Sequence, residues 1–190
     1  MNTPGSRQHR PWRTLSSELV LDNRWARVRR DICELPNGHI IPDYYYWEGG
    51  DFAQVFALTA SNQILLIRQY RQAIKQVVLE LPGGLLDPAD PDPLQTARRE
   101  LEEETGYTSD KWTSIGALTL SASKSTMRAH AFLAQNVTPS GATTHELTED
   151  LEIVLVSLEE FHQLVSTGAI HDACSIAIAH MALDALQNQR

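Results

Sequence analysis

The segment Arg99–Tyr107 constrains this 190-residue chain most, because it places four glutamates and one arginine in a short run before a glycine. Like charges at neighbouring helix positions repel one another unless a cation lies among them. Glu100, Glu103 and Glu104 are spaced i, i+3 and i+4, so they share one side of a helix. Clusters of carboxylate oxygens suit hard cations such as Mg²⁺ or Mn²⁺. The alternative is a solvated, charged helix face.

The residues before this segment favour the metal-binding interpretation. Asp92 and Pro93 predict the N-cap and first residue of a helix, and Gly106 predicts its C-terminal stop. A predicted strand upstream ends in Gly83-Gly84, where the missing side chains let the backbone approach a ligand and offer a carbonyl to a metal. The apolar stripe of the helix that faces the core is predicted to consist of Leu94, Ala97, Leu101 and Thr105.

This part of the chain resembles the Nudix hydrolase family, whose signature reads G-x5-E-x7-R-E-U-x-E-E-x-G-U, where U is aliphatic or aromatic. The second half of the signature matches residue for residue from Arg99 to Tyr107. The resemblance implies an α/β/α sandwich and a magnesium-dependent hydrolase of pyrophosphate bonds. Manganese is the alternative cation.

The first half of the signature departs from the family pattern. Pro91 stands where the family has its first glutamate, and Leu85 stands where it has glycine. A one-residue insertion would return the glycine role to Gly84 and leave Asp90 or Asp92 as the nearest acid. The glutamate cluster itself is unaffected.

Hydrophobic alternation predicts a small antiparallel sheet from about Ser16 to Glu48, and Gly49-Gly50 marks a boundary after it. We therefore divide the chain into an N-terminal β-sheet element (1–50) and a hydrolase domain (51–190). In the second part, strands interleaved with two main helices predict an α/β fold with a mixed sheet. Its predicted elements are strands at 53–58, 63–70, 77–81, 128–134 and 153–156 and helices from Asp92 and from Ala173.

An N-terminal sheet followed by Arg68–Arg71 and then by Glu80–Gly84 resembles the ADP-ribose and nucleoside-diphosphate-sugar pyrophosphatase branch of the family. That branch implies a nucleoside diphosphate sugar as substrate. It also implies a homodimer formed through the N-terminal sheet. Ala122 occupies the position of a proline typical of the ADP-ribose enzymes. GDP-mannose and other sugar nucleotides therefore stay open as substrates.

The resemblance assigns roles to the acidic residues. Glu100 and Glu104 are the first expected metal ligands, with Glu103 sharing a second ion or acting in catalysis and the Gly84 carbonyl completing the shell. Arg99 is expected to orient the cluster by reaching Glu102 or Glu103. A further catalytic acid of this branch comes from a late loop, where Glu149 is the first candidate and Glu146 the second.

Other residues are candidates for binding the substrate. Arg68 and Arg71 could hold phosphate or a terminal sugar through forked hydrogen bonds, and surface ion pairs are the alternative. Glu80 belongs to the branch motif. Trp25 and Trp47 could stack on the base, although aromatic residues of strands more often pack into the fold.

Composition excludes several other classes of protein. The formal charge of −8 argues against broad nucleic-acid binding, and no apolar run has the length of a membrane span. Cys33 and Cys174 are expected to be free thiols, and with the polar start they favour a cytoplasmic location. The chain lacks a Gly-x-Ser-x-Gly elbow and a P-loop lysine. A non-catalytic Nudix binding module or sensor is the remaining alternative.

Overall fold

The computed structural model describes residues 10–141 and 150–188, and these form two compact units. One unit comprises the chain up to Gly49 together with Ser121–Met127. The other comprises Gly50–Leu120 and the chain from Arg128 onward. Hydropathy alone does not set Ser121–Met127 apart, so this assignment depends on the three-dimensional contacts.

The N-terminal unit is a three-stranded antiparallel sheet of β1 (Arg13–Asp22), β2 (Arg27–Glu34) and β3 (Ile40–Trp47), with β2 in the middle. The predicted antiparallel sheet is therefore present, and β1 begins a few residues earlier than expected. The segment Ser121–Met127 lies along β3: the backbone N–H of Trp47 donates to Lys124 O at 2.7 Å, and that of Thr126 donates to Trp47 O at 3.0 Å.

The second unit contains a mixed sheet that has eight strands among the described residues. Its central order is β11-β5-β4-β10-β8, with β6 paired to β5, β7 to β4 and β9 to β10. The pair β4–β10 is parallel and the other pairs are antiparallel. The strands are β4 (Phe52–Thr59), β5 (Ile64–Arg71), β6 (Gln76–Glu80), β7 (Gly83–Leu85), β8 (Tyr107–Thr108), β9 (Lys111–Thr119), β10 (Arg128–Pro139) and β11 (Glu152–Val156).

Helices cover both faces of this sheet, and the side chains of β4 show how. Successive residues of a strand point to opposite faces. Val55 and the β4 residues two positions before and after it pack in one cluster with α1 (Pro93–Thr105). Phe56 and Leu58 pack in a second cluster with α2 (Leu158–Ser166) and α3 (Ala173–Gln187). The predicted α/β/α sandwich is confirmed, and its buried centre explains the nearly continuous apolar sequence of β4.

The predicted ends of α1 are confirmed in detail. The Asp92 carboxylate accepts a hydrogen bond from the backbone N–H of Gln95 at 3.0 Å, as an N-cap does. Gly106 ends the helix with φ of 67°, and its N–H donates to Glu102 O at 2.7 Å. This left-handed conformation favours glycine.

Four elements were not predicted, the helix α2 and the strands β7, β8 and β9. The sequence does contain a start signal for α2, because Ser157 and Glu160 form a capping box. The helix has only nine residues, so its apolar periodicity is short. None of the helices in the described parts of the chain is both long and apolar enough to cross a lipid bilayer.

Candidate active site

Gly83 and Gly84 are the first two residues of β7, and they contact the helix α1 through glutamate side chains. We keep the name Gly83-Gly84 loop for this pair. The backbone N–H of Gly83 donates to Glu104 Oε2 at 2.8 Å, and Glu104 is buried. A Cβ on Gly84 would lie closer than 3.0 Å to the carboxyl group of Glu100. The absence of side chains at this loop therefore lets two carboxylates of α1 lie directly against the backbone.

Arg99 binds the acidic residues around it. Its Nη1 lies 2.8 Å from Glu103 Oε2 and 2.8 Å from Glu100 Oε1. The expected contact with Glu103, one helical turn away, is therefore present. Partial burial lowers the pKa of the guanidinium, but the Glu100 and Glu103 carboxylates raise it, so the pKa lies above its ordinary value. Arg99 stays charged and offsets the repulsion between the glutamates.

The structure distinguishes the two acids that could replace the missing first glutamate. Asp92 caps α1, whereas Asp90 faces the arginine. Asp90 Oδ2 accepts a hydrogen bond from Thr96 Oγ1 at 2.8 Å and lies 3.5 Å from Arg99 Nη2. The sequence contained a signal for this choice, because an aspartate used as an N-cap already has a backbone partner.

The donor set fits a hard divalent cation. Glu100, Glu104 and the Gly84 carbonyl offer only oxygen atoms, which Mg²⁺ and Mn²⁺ prefer. Over residues 10–141 and 150–188, no group of three or more His, Cys, Asp or Glu side chains is already arranged to hold a metal ion. Arg99 holds oxygens of Glu100 and Glu103 in this arrangement. The ligand roles of Glu100, Glu103, Glu104 and Gly84 stay predictions.

Arg71 and Glu80, on the neighbouring strands β5 and β6, form an ion pair. Arg71 Nη2 lies 2.5 Å from Glu80 Oε1, which also accepts from Gln69 Nε2. Burial raises the pKa of Glu80, Arg71 and Gln69 lower it, and the net pKa lies above its ordinary value. Arg68 pairs instead with the exposed Glu152, at 2.6 Å. Both arginines thus form the ion pairs that were the alternative to substrate binding.

The two tryptophans in question lie in the N-terminal unit and are exposed. Trp25 is 79% exposed, with the Arg24 guanidinium 4.4 Å from its ring centroid, and Trp47 is 52% exposed. Neither is packed into a core in the described chain, unlike the half-buried Tyr44, whose hydroxyl donates to Ser123 O at 2.6 Å. The predicted catalytic acids Glu146 and Glu149 lie outside the described residues.

Comparison with known families finds two matches along the chain. The family described as "NUDIX domain" matches residues 52–176, which include the whole of α1 and the Gly83-Gly84 loop. The chain belongs to the Nudix hydrolase family. A second family, described as "Nucleoside diphosphate sugar hydrolase N-terminal domain", matches residues 12–47. The chain is therefore a Nudix pyrophosphohydrolase with the N-terminal element of nucleoside diphosphate sugar hydrolases.

Individual proteins resemble the chain over almost its whole length. An ADP-ribose pyrophosphatase of Bacillus subtilis (strain 168) is 33% identical, covering 94% of this chain and 97% of that protein. A methanol dehydrogenase activator of Bacillus methanolicus is 28% identical, covering 90% and 92%. The solved structure "ADP compounds hydrolase" superposes with a TM-score of 0.84 at 22% identity, covering 97% and 98%. The last likeness shows the shared fold.

Proposed function

We propose that this Nudix enzyme uses Mg²⁺ to hydrolyse the pyrophosphate bond of ADP-ribose or a similar nucleoside diphosphate sugar. The products are a nucleoside monophosphate and a sugar phosphate. The observation that carries the proposal is the contact of Glu100 and Glu104 with the Gly83-Gly84 loop. The name of the Bacillus subtilis relative supports ADP-ribose as the first substrate to test.

The residues of the site have separate tasks in this proposal. A bound divalent cation supplies charge neutralisation for the pyrophosphate and an activated water. Glu100, Glu104 and the Gly84 carbonyl hold the cation, and Glu103 serves a second ion or takes a proton. Arg99 fixes the directions of Glu100 and Glu103 through its paired contacts.

The attacking water needs a proton acceptor. The phosphates and the sugar of the substrate also need partners from residues outside α1. Glu149 is the proposed general base, with Glu146 as the second candidate. Arg71 and Arg68 are proposed to contact the phosphates or the terminal sugar. Arg71 would exchange its pairing with Glu80 for the substrate anion, which a forked guanidinium can bind with two hydrogen bonds.

The N-terminal element (1–50) is proposed to form a homodimer interface and to contact the base through Trp25 and Trp47. Its many exposed apolar residues support an intermolecular role, because large exposed apolar patches on a soluble protein mark interaction sites. Sedimentation at assay concentrations tests the dimer, and a stable monomer contradicts it. The unpaired thiols of Cys33 and Cys174 support a cytoplasmic location.

A substrate panel tests the activity. ADP-ribose, GDP-mannose, UDP-glucose, a dinucleoside polyphosphate and coenzyme A are incubated with enzyme and Mg²⁺, and then with Mn²⁺. We expect ADP-ribose to give AMP and ribose 5-phosphate at the highest kcat/KM. Preference for GDP-mannose would overturn the substrate. Failure to hydrolyse any compound, together with measurable ligand binding, would favour the non-catalytic sensor. Hydrolysis in isotopically labelled water identifies the phosphorus that is attacked.

A further inference from the structure

Two buried polar side chains lie in the layer between the large sheet and α3. Ser175 is fully buried near the start of α3, and Gln54 is buried within β4, between apolar neighbours. Buried polar side chains require hydrogen-bond partners, because an unpaired one loses its hydration without compensation. The partners of these two residues meet at one peptide position, Leu81.

Both backbone groups of Leu81 are bound by side chains rather than by a neighbouring strand. The Leu81 N–H donates to Ser175 Oγ at 3.0 Å, and Gln54 Nε2 donates to Leu81 O at 3.1 Å. Gln54 Nε2 also lies 3.1 Å from Ser175 Oγ. Because a carbonyl oxygen can only accept, the amide nitrogen of Gln54 must face Leu81. The three residues form one hydrogen-bonded group, which we call the Leu81 clamp. The Gln54 amide oxygen is buried and has no hydrogen-bond partner among the described residues.

The Leu81 clamp is two residues away from the loop that contacts the glutamates. Pro82 O accepts from Val55 N at 2.9 Å, and Gly83 N–H donates to Glu104 at 2.8 Å. Gly83 and Gly84 are paired with β4 as part of β7, and a Cβ on Gly83 would lie closer than 3.0 Å to the Ala53 carbonyl oxygen. A displacement of Leu81 is therefore transmitted to Gly83 and Gly84 over a very short stretch of constrained backbone.

We propose that Gln54 and Ser175 are positioning residues that hold the Gly83-Gly84 loop at the correct distance from Glu100 and Glu104. This inference rests on the proposed function, since it assigns a task to the loop in hydrolysis. The clamp acts through Leu81 and does not touch the substrate. It also couples the C-terminal helix α3 to the metal-binding side of the sheet.

Two variants remove the clamp from opposite sides. Ser175→Ala deletes the acceptor of the Leu81 N–H, while the Ser175 backbone N–H keeps its bond to Asp172 Oδ2 at 2.7 Å, so the cap of α3 is preserved. Gln54→Met keeps the length of the side chain and deletes the donor to Leu81 O. Cys174→Ala is the matched control, because it trims the neighbouring, half-buried side chain of α3, which packs against the same core.

The first readout is amide hydrogen exchange of the free protein, measured by NMR without substrate. We expect Ser175→Ala and Gln54→Met to raise the exchange rate of the Gly83 amide by about tenfold or more, with core amides of α1 such as Leu101 unchanged. Cys174→Ala should leave Gly83 at its wild-type rate. Wild-type exchange at Gly83 in either clamp variant would overturn the proposal, and so would a uniform rise across the core.

The second readout is steady-state hydrolysis of ADP-ribose with Mg²⁺. We expect kcat to fall by about tenfold in both clamp variants with little change of KM, because a displaced loop misplaces the reacting groups rather than the binding groups. A rise of KM alone would overturn the positioning role. If wild type hydrolyses none of the panel, the proposed function fails, whereas the exchange experiment still decides whether the clamp holds the loop.

Discussion

The contact between α1 and the Gly83-Gly84 loop differs from the N-terminal sheet in how its chemical groups are satisfied. At α1, each charged group that faces the loop has a protein partner, and Glu104 is almost completely buried. In β1 nearly every residue is exposed. The exposed large apolar residues of the N-terminal unit are Trp12, Leu15, Val20, Leu21, Trp25, Ile40, Tyr45 and Trp47.

This difference separates two kinds of molecular task. The groups at α1 are held in place by the chain itself, as catalysis requires. Many apolar side chains of the N-terminal sheet are exposed in the described chain, so we expect them to contact a further molecule. Substitutions at α1 should therefore change the rate of reaction, and substitutions in the N-terminal sheet should change binding.

The largest effect is expected at Glu104. In Glu104→Gln the amide oxygen can still accept from the Gly83 N–H, but the negative charge is lost. Removing a group that only supports a metal ligand lowers metal affinity or activity by about 10–100-fold. Because Glu104 is a proposed ligand itself, we expect kcat to fall by about 100-fold or more. The melting temperature should change little. Glu102→Gln, on the exposed side of the same helix, is the control, and near-wild-type kcat in a folded Glu104→Gln would contradict the assignment.

A smaller loss of activity is expected from Gly84→Ala. The new methyl group would overlap the carboxyl group of Glu100, which must move away. We expect kcat to fall by about 10–100-fold and the free energy of unfolding to fall by about 1–3 kcal/mol. Kinetics and urea unfolding measure the two changes. In Gly50→Ala the nearest atom to the added Cβ is Leu85 Cδ2 at 4.0 Å, so this control should behave like wild type.

Trp47→Ala tests the other side of the comparison. If the indole stacks on the base, its loss raises KM for ADP-ribose by roughly fivefold or more, since such stacking is worth about 1–3 kcal/mol. The turnover number should stay near wild type. Val77→Ala, which trims an exposed apolar residue of β6, controls for general loss of surface area. An unchanged KM in both Trp47→Ala and Trp25→Ala would separate the N-terminal sheet from base recognition.

The smallest effect on turnover is expected from substitution of the two thiols, one of which lies in each unit. Burial raises the pKa of Cys174 to about 11, with a further contribution from Asp172, and burial also raises the pKa of Cys33. At neutral pH the Cys174 thiolate should therefore be about 100-fold scarcer than in an ordinary cysteine. In Cys33→Ser, labelling by a disulfide reagent should be slow and should rise tenfold with each pH unit.

The same thiol gives a pH dependence of stability with a definite sign. Cys174 holds its proton more tightly in the folded protein than its ordinary value of 9.0 implies. Its contribution to stability is therefore complete below pH 9 and is lost as the pH rises towards 11. Urea unfolding across this range should show a steeper loss for wild type than for Cys174→Ser. Equal slopes would contradict the raised pKa.

The sequence predicted the features that depend on neighbouring residues. The start of α1 at Asp92, its stop at Gly106 and the pairing of Arg99 with Glu103 all involve positions within one or two helical turns. The small sheet and the α/β/α layers followed from alternation and from the family resemblance. Short elements such as α2, β7 and β8 were missed, because a short stretch repeats its pattern too few times.

Long-range partners could not be predicted. Gln54 and Ser175 are 121 positions apart in the chain, and nothing local relates them. The available signal was a glutamine in an otherwise apolar strand. A buried glutamine requires a hydrogen-bond partner, but the sequence does not identify which residue it is. The partners of Arg68 and Arg71 were ambiguous for the same reason, since a guanidinium binds any carboxylate that the fold brings near.

The pairing of Trp47 with Ser121–Met127 has a consequence for how the protein is made. During synthesis, more than seventy residues must be added after Trp47 before the outer edge of β3 can form hydrogen bonds with this segment. An open strand edge is a template for pairing with another chain. A fragment that stops after Gly50 would keep this edge permanently uncovered, so truncation there should favour aggregation over an isolated, well-behaved sheet.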